Sequence, residues 1–176
     1  AVWNVQAIDE EYEVDDFPKT MIEGIASGLD FVEKIRKLVE QAGQDTDANR
    51  FKLRFEAIEW LSPVPRTPKN VLCVGKNYAD HAAEMGADAP PEKLMIFTKS
   101  PTSIDADEQE LSVHADITEN LDYEGELAVV IGKGGQNIHQ QLAYDYVFGY
   151  TIANDITARD IHTNHGQFFL GKSLEG

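Results

Sequence analysis

The chain is short of cysteine, of cations and of long apolar runs. One cysteine, Cys73, stands among 176 residues, so no intrachain disulfide can form and a reducing, cytoplasmic location is expected. Cys73 lies in the apolar run Val71-Leu72-Cys73-Val74, which marks it as a buried structural thiol rather than a nucleophile. Lys and Arg number 15 against 31 Asp and Glu, a net charge of −16. Such a chain repels phosphate backbones and anionic surfaces, which argues against nucleic acid and membrane partners. An anionic substrate would need local cations to offset that field. No apolar stretch approaches the length needed to span a bilayer. The opening Ala1-Val2-Trp3-Asn4 has neither a basic segment nor an apolar one of signal-peptide type, and it lacks an initiator Met. We read a processed or truncated chain.

What is present is ordinary globular material, with 42% hydrophobic and 9% aromatic residues. Residues 1–8 read as a short strand. Residues 20–42 read as helix broken near Gly28, with Phe31, Ile35, Leu38, Val39 and Ala42 at helical spacing. Residues 51–61 fit strand or helix. Pro63, Pro65 and Pro68 mark a linker. Beyond it, 70–75 and 94–99 read as strands and 78–85 as a helix. Residues 122–132 form the strongest strand pattern, and its run Leu127–Ile131 is expected to enter a core. Residues 146–155 give a further strand, and 158–162 begin a helical turn. This divides the chain into an N-terminal α+β appendage, 1–65, and a second domain, 69–176.

Glu124 and Glu126 are two apart in the strongest strand, so their side chains leave one face. Paired carboxylates repel unless a cation sits between them, and hard divalent ions take oxygen ligands. Asp155, at the end of a neighbouring strand, can supply a third. A Glu-x-Glu pair in an acidic protein is more often a solvated strand face; Gly125 and the adjoining apolar run weigh against that here. His81 and Glu84 share a helix face at i, i+3, an arrangement that can orient an imidazole as a general base or be a plain surface pair. Asn77 and Tyr78 can cap that helix or contact substrate. Lys76, Lys99, Arg159 and Lys172 are scattered cations near apolar strands. Small residues and prolines around 77–92 suggest a segment that closes over a site.

Five segments in order carry a resemblance: Gly75-Lys76-Asn77-Tyr78 with His81 and Glu84; Phe97-Thr98-Lys99-Ser100-Pro101; Asp122-Tyr123-Glu124-Gly125-Glu126-Leu127; Asn154-Asp155-Ile156-Thr157-Ala158-Arg159-Asp160; and Gly171-Lys172-Ser173. Together they resemble the fumarylacetoacetate hydrolase superfamily over about residues 70–176. The resemblance implies an α+β, mainly β fold: a mixed β-sandwich roll with the small N-terminal appendage, usually a homodimer. It assigns a Mg²⁺ (or Mn²⁺) site to Glu124, Glu126 and Asp155. Water activation falls to His81 and Glu84, substrate contacts to Lys76, Tyr78 and Lys99, and a catalytic position beside the developing enolate to Lys172. The implied substrate is a small 2-oxo or 1,3-dicarbonyl acid. The implied reaction is C–C cleavage, by acylpyruvate-type hydrolysis or oxaloacetate decarboxylation, with the metal as Lewis acid. An isomerase or hydratase of hydroxymuconate-type catabolites is the alternative, as is a non-catalytic metal-binding fragment. Position 76 departs from the pattern, carrying Lys where Arg is common. The family's further strands and its Thr-Gly-Thr-Pro turn also lie beyond this sequence.

Overall fold

The structure, a computed structural model, describes residues 1–78, 93–164 and 166–175. His81 and Glu84 lie outside these residues, as do the expected helix after Tyr78 and most of the expected closing segment. The fold is α+β. The chain divides into two compact units, one of residues 1–63 and 127–153, the other of 64–126 and 154–176. The first boundary falls in the proline-rich stretch where the sequence places a linker.

In the first unit, strand β1 (Val2–Trp3) leads into helix α1 (Val5–Tyr12). The sequence reading made all of 1–8 a strand. Asn4 overrides it: its side chain accepts from the Ala7 N–H at 3.1 Å and starts a helix there. Helix α2 (Met21–Ala26) opens with a reciprocal cap between Thr20 and Glu23. Gly28, at φ +66 and ψ −144, then breaks the chain as expected before helix α3 (Leu29–Gly43). Leu38 and Ala42 of α3 pack with Ile8 and Phe51 into a small core. Strand β2 (Lys52–Leu53) pairs antiparallel with β1, Val2 opposite Leu53.

Most of a hairpin also belongs to this unit. Strand β6 (Gly125–Ile131) pairs with β7 (Val147–Asn154). The Gly132 N–H bonds the Tyr146 carbonyl at one end and the Asp155 N–H bonds the Glu124 carbonyl at the other, so the strands run antiparallel. Alternation along β6 covers Glu126, Ala128 and Val130, while Leu127, Val129 and Ile131 are exposed. The apolar run therefore does not enter a core as a block. The pleat sends every second side chain to the other face.

The second unit carries two further pairs. Strands β3 (Val71–Gly75) and β4 (Met95–Lys99) run antiparallel, with Val71 opposite Lys99, Cys73 opposite Phe97 and Gly75 opposite Met95. These partners share one face, and Leu72, Val74 and Ile96 are exposed on the other. Strands β5 (Leu121–Asp122) and β8 (Thr157–Ala158) pair next to helix α4 (Arg159–Asn164). A 3₁₀ turn, Leu170–Lys172, packs on α4 through Gly171.

Candidate functional site

The site grows from the end of the β6–β7 ladder, within the second unit. Glu124 and Asp155 face each other there: the Asp155 N–H donates to the Glu124 carbonyl at 2.7 Å, and the Asn154 side-chain oxygen accepts the Glu124 N–H at 3.1 Å. Backbone pairing thus brings together two carboxylates that are far apart in sequence. The Thr157 hydroxyl donates to the Asp155 carbonyl at 2.9 Å and fixes the turn into β8.

Three cations cover the four carboxylate oxygens of this pair. Lys172 reaches Glu124 Oε2 at 2.6 Å and Asp155 Oδ2 at 2.9 Å. Lys99 reaches Asp155 Oδ1 at 2.6 Å and also donates to the Ile156 carbonyl at 3.0 Å. Arg159 bonds Glu124 Oε1 through Nη1 at 2.6 Å and Asp122 through Nε at 2.9 Å. Lys172 is only 3% exposed, and its ammonium lies 5.3 Å from the centre of the Phe97 ring. A buried ammonium is tolerable only when paired in this way.

Glu126 completes the acidic group. Burial raises its pKa, and the charges of Glu124 and Asp155 push it further the same way; a hydrogen bond from the Tyr78 hydroxyl and the charge of Lys172 oppose them. Burial works against the charge of Arg159, but Asp122 and Glu124 outweigh it and hold the guanidinium above its ordinary value. The hydrogen bond from Arg159 holds Asp122 below its own. Cys73, on the same face as Phe97 and Lys99, is pushed up to about 11, chiefly by burial and next by Asp155. It is half-buried, less covered than the buried structural thiol the sequence reading expected. His162 is held below its ordinary value, first by burial and then by the cations Lys172 and Arg159. Its ring stacks on Phe168 at 4.1 Å, and Phe168 meets Phe97 edge-on at 5.6 Å. Met95, Phe97 and Phe168 line a cavity of about 230 Å³.

The structure therefore gathers Glu124, Glu126, Asp155, Lys99, Lys172 and Tyr78 from the sequence-derived set. Lys99, expected at the substrate, is paired with Asp155. Lys76 sits half-buried in the turn after β3, at φ +54. Arg159, Asp122 and His162 were not singled out as site residues. The early signals were the place of Arg159 among the cations near apolar strands and the positions of Arg159 and Asp122 inside two of the segments that carry the resemblance.

Among the described residues, no three His, Cys, Asp or Glu side chains converge as a ready-made metal-ligand group. The donor chemistry nonetheless fits a hard divalent cation. Glu124, Glu126 and Asp155 offer only carboxylate oxygen, and Glu126 feels the negative charge of the other two.

A sequence model of the fumarylacetoacetate (FAA) hydrolase C-terminal family matches residues 70–176. The chain belongs to the fumarylacetoacetate hydrolase family, a family of enzymes. It is similar to the oxaloacetate tautomerase YisK of Bacillus subtilis (strain 168), 48% identical over 166 residues that make up 93% of this chain and 55% of the relative. A fumarylacetoacetate hydrolase structure from Exiguobacterium antarcticum superposes with a TM-score of 0.70 at 38% identity, over 96% of this chain and 54% of that one. A 5-carboxymethyl-2-hydroxymuconate delta-isomerase from Mycobacterium smegmatis gives 0.58 at 37% identity, over 71% and 49%. The chain spans about half the length of the curated relatives it matches. Among the described residues, no helix of this family member is long and apolar enough to cross a membrane.

Proposed function

We propose that this chain is the acid-cluster part of a divalent-metal-dependent enzyme that interconverts the keto and enol forms of a small 2-oxo dicarboxylic acid of the oxaloacetate type. One observation carries this reading: Glu124, Glu126 and Asp155 are gathered with the buried ammonium of Lys172 and the guanidinium of Arg159. Such a site can seat a 2-oxo carboxylate through a hard cation and meet its negative charge with protein cations. The tautomerase relative at 48% identity supports proton transfer as the reaction.

Glu124, Glu126 and Asp155 would hold Mg²⁺ or Mn²⁺, which when bound supplies Lewis-acid polarisation of the 2-oxo group. The remaining work belongs to this chain. Tautomerisation moves one proton from the carbon next to the ketone to the ketone oxygen, or back, with no net change in atoms or electrons. The family resemblance gives that proton to His81, oriented by Glu84. Lys172 is the donor placed for the oxygen on which charge builds up. Arg159 holds Glu124 in orientation while Asp122 holds Arg159. Lys76, Tyr78 and Lys99 remain our substrate-contact residues, with Tyr78 reaching the cluster through Glu126. The β-sandwich roll and the homodimer belong to the same proposal.

A second reading is C–C cleavage of an acylpyruvate-type acid, favoured by the hydrolase structure at TM-score 0.70. The test is a spectrophotometric panel of enol-oxaloacetate, acetylpyruvate and a hydroxymuconate, with Mg²⁺ and with chelator. Mg²⁺-dependent decay of the enol alone is the expected result, and Glu126→Gln should abolish it while leaving the circular dichroism unchanged. Turnover of acetylpyruvate alone would establish the second reading. Full activity in Glu126→Gln would remove the metal assignment.

A further inference from the structure

Lys172 and a divalent cation compete for the same two oxygens. The ammonium takes Glu124 Oε2 at 2.6 Å and Asp155 Oδ2 at 2.9 Å, one from each of two proposed ligands. Lys99 takes Asp155 Oδ1 and Arg159 takes Glu124 Oε1, so neither carboxylate has an oxygen free of a cation. Arg159 and Lys99 have second anchors, Asp122 for the guanidinium and the Ile156 carbonyl for the ammonium. Among the described residues Lys172 has no comparable polar anchor: apart from Glu124 and Asp155, its charged end meets the face of Phe97. It is the cation with least to hold it if the carboxylates are taken.

We infer that Lys172 is a built-in counter-ion that exchanges with the divalent cation: the ammonium neutralises Glu124 and Asp155 in the metal-free chain and is released toward the Phe97 side of the site when those carboxylates take the metal. This rests on the metal reading above and adds a regulation to it. A lysine locked to two carboxylates cannot serve a substrate, and the same lysine displaced from them can. Cation loading thereby arms the donor, and an unloaded site stays charge-balanced and inert. The carboxylates also remain satisfied within the protein without metal, where bare adjacent anions would repel.

The exchange predicts that the ammonium weakens metal binding. Mn²⁺ affinity, read by the loss of the free-ion electron paramagnetic resonance signal, would be compared in the 176-residue chain and in Lys172→Met, Lys172→Arg and Glu124→Gln. Removing a positive charge from contact with two ligands should tighten Mn²⁺ at least tenfold in Lys172→Met, whereas Lys172→Arg, which keeps the charge, should not tighten it. A readout independent of any variant's folding is amine labelling of the wild-type chain followed by peptide mass analysis: saturating Mn²⁺ should raise the labelling of Lys172 several-fold relative to Lys133. Unchanged Mn²⁺ affinity in Lys172→Met, with wild type binding and Glu124→Gln not binding, would overturn the exchange and leave the metal site standing. Labelling of Lys172 that ignores Mn²⁺ would overturn it equally. Failure of wild type and Lys172→Met alike to take up Mn²⁺ would bring down the metal reading and the exchange with it.

Discussion

Gly171→Ala tests how Lys172 is aimed. A Cβ at position 171 would stand 2.8 Å from the His162 nitrogen, 2.9 Å from the Ala158 carbonyl oxygen and 3.1 Å from the His162 Cα. All three are backbone atoms of β8 and α4, so no side chain can swing aside. The Leu170–Lys172 turn has to retreat from the helix by several tenths of an ångström. Overpacking of this kind costs about 1–3 kcal/mol. The retreat also acts on the next residue, whose ammonium lies 2.9 Å from Asp155 Oδ2. Lengthening that bond by about half an ångström takes it to the edge of hydrogen-bonding range. At about 2–4 °C per kcal/mol for a chain of this size, a 2 kcal/mol loss lowers the melting temperature by about 4–8 °C. Gly149→Ala is the matched control, because nothing lies within 4 Å of its new Cβ. Thermal melts followed by circular dichroism give the comparison. If Gly171→Ala melts together with Gly149→Ala and wild type, the close approach of the turn to α4 is not what positions Lys172.

Three further expectations follow from the same geometry. Asp9 is 3% exposed, its Oδ2 is bound by the Lys19 ammonium, and its Oδ1 has no hydrogen-bond partner among the described residues, so Lys19→Met should cost about 1–3 kcal/mol in urea unfolding. Adding Asp9→Leu should recover part of that loss, and a double variant less stable than the single one would contradict the account. His162 has a depressed folded pKa, so its stabilising contribution is present above the unfolded value of 6.5 and is lost as pH falls below that value through the folded pKa; His162→Gln should flatten the decline of stability with acidification below pH 6.5, and an unaltered profile would clear His162 of it. Gly28 has φ +66 and ψ −144, near a region only glycine populates readily, so Gly28→Ala should lose about 1–3 kcal/mol even though its Cβ would meet open space; a neutral result would show that the α2–α3 break tolerates another backbone shape.

The parts of the fold legible in the sequence are those with a clean period or a clear breaker. Helix α3 shows its buried stripe, Gly28 shows the break before it, and β3, β4, β6 and β7 show as apolar runs between turns. Residues 1–8 misled because an apolar opening looks extended, while one polar side chain, Asn4, decides where the helix starts. Burial along β6 misled for another reason: a run of five apolar residues says nothing about how many of its two faces are covered. Glu124 and Glu126 could be paired from spacing alone; Asp155 was a candidate from its place at a strand end, and the resemblance assigned it. The resemblance placed Lys172 and Lys99 at the site, but the pairing of these cations with the carboxylates was not legible. Lys172 is 48 residues from Glu124 and Lys99 is 56 from Asp155, and no local pattern links such positions. Only the ladder that sets Asp155 beside Glu124, and the turn that Gly171 packs on α4, make them neighbours.

The charge count of the cluster gives an argument for metal dependence separate from any likeness. Asp122, Glu124, Glu126 and Asp155 carry four negative charges when ionised; Lys99, Lys172 and Arg159 carry three positive ones, so the group is short of one cation. Burial is the first cause of the raised pKa of Glu126, and the charges of Glu124 and Asp155 add to it. A dicarboxylate arriving alone would bring the total to three uncompensated negative charges, inside a chain whose net charge is already −16. With a divalent cation the group is positive by one, and the same dicarboxylate then brings it back to one negative charge. On this count the proposed oxo-acid and divalent cation should bind as a pair, and affinity for the acid should collapse when the cation is chelated. Replacing Glu126 by Gln removes one negative charge and one ligand together. If the carboxylates serve only as counter-ions to the three protein cations, that variant should bind the acid more tightly without metal; if they are ligands, it should lose metal-dependent binding of the acid. Isothermal titration with oxaloacetate, in chelator and in Mg²⁺, separates the two, and tighter metal-free binding in Glu126→Gln with no loss in Mg²⁺ would refute the ligand role.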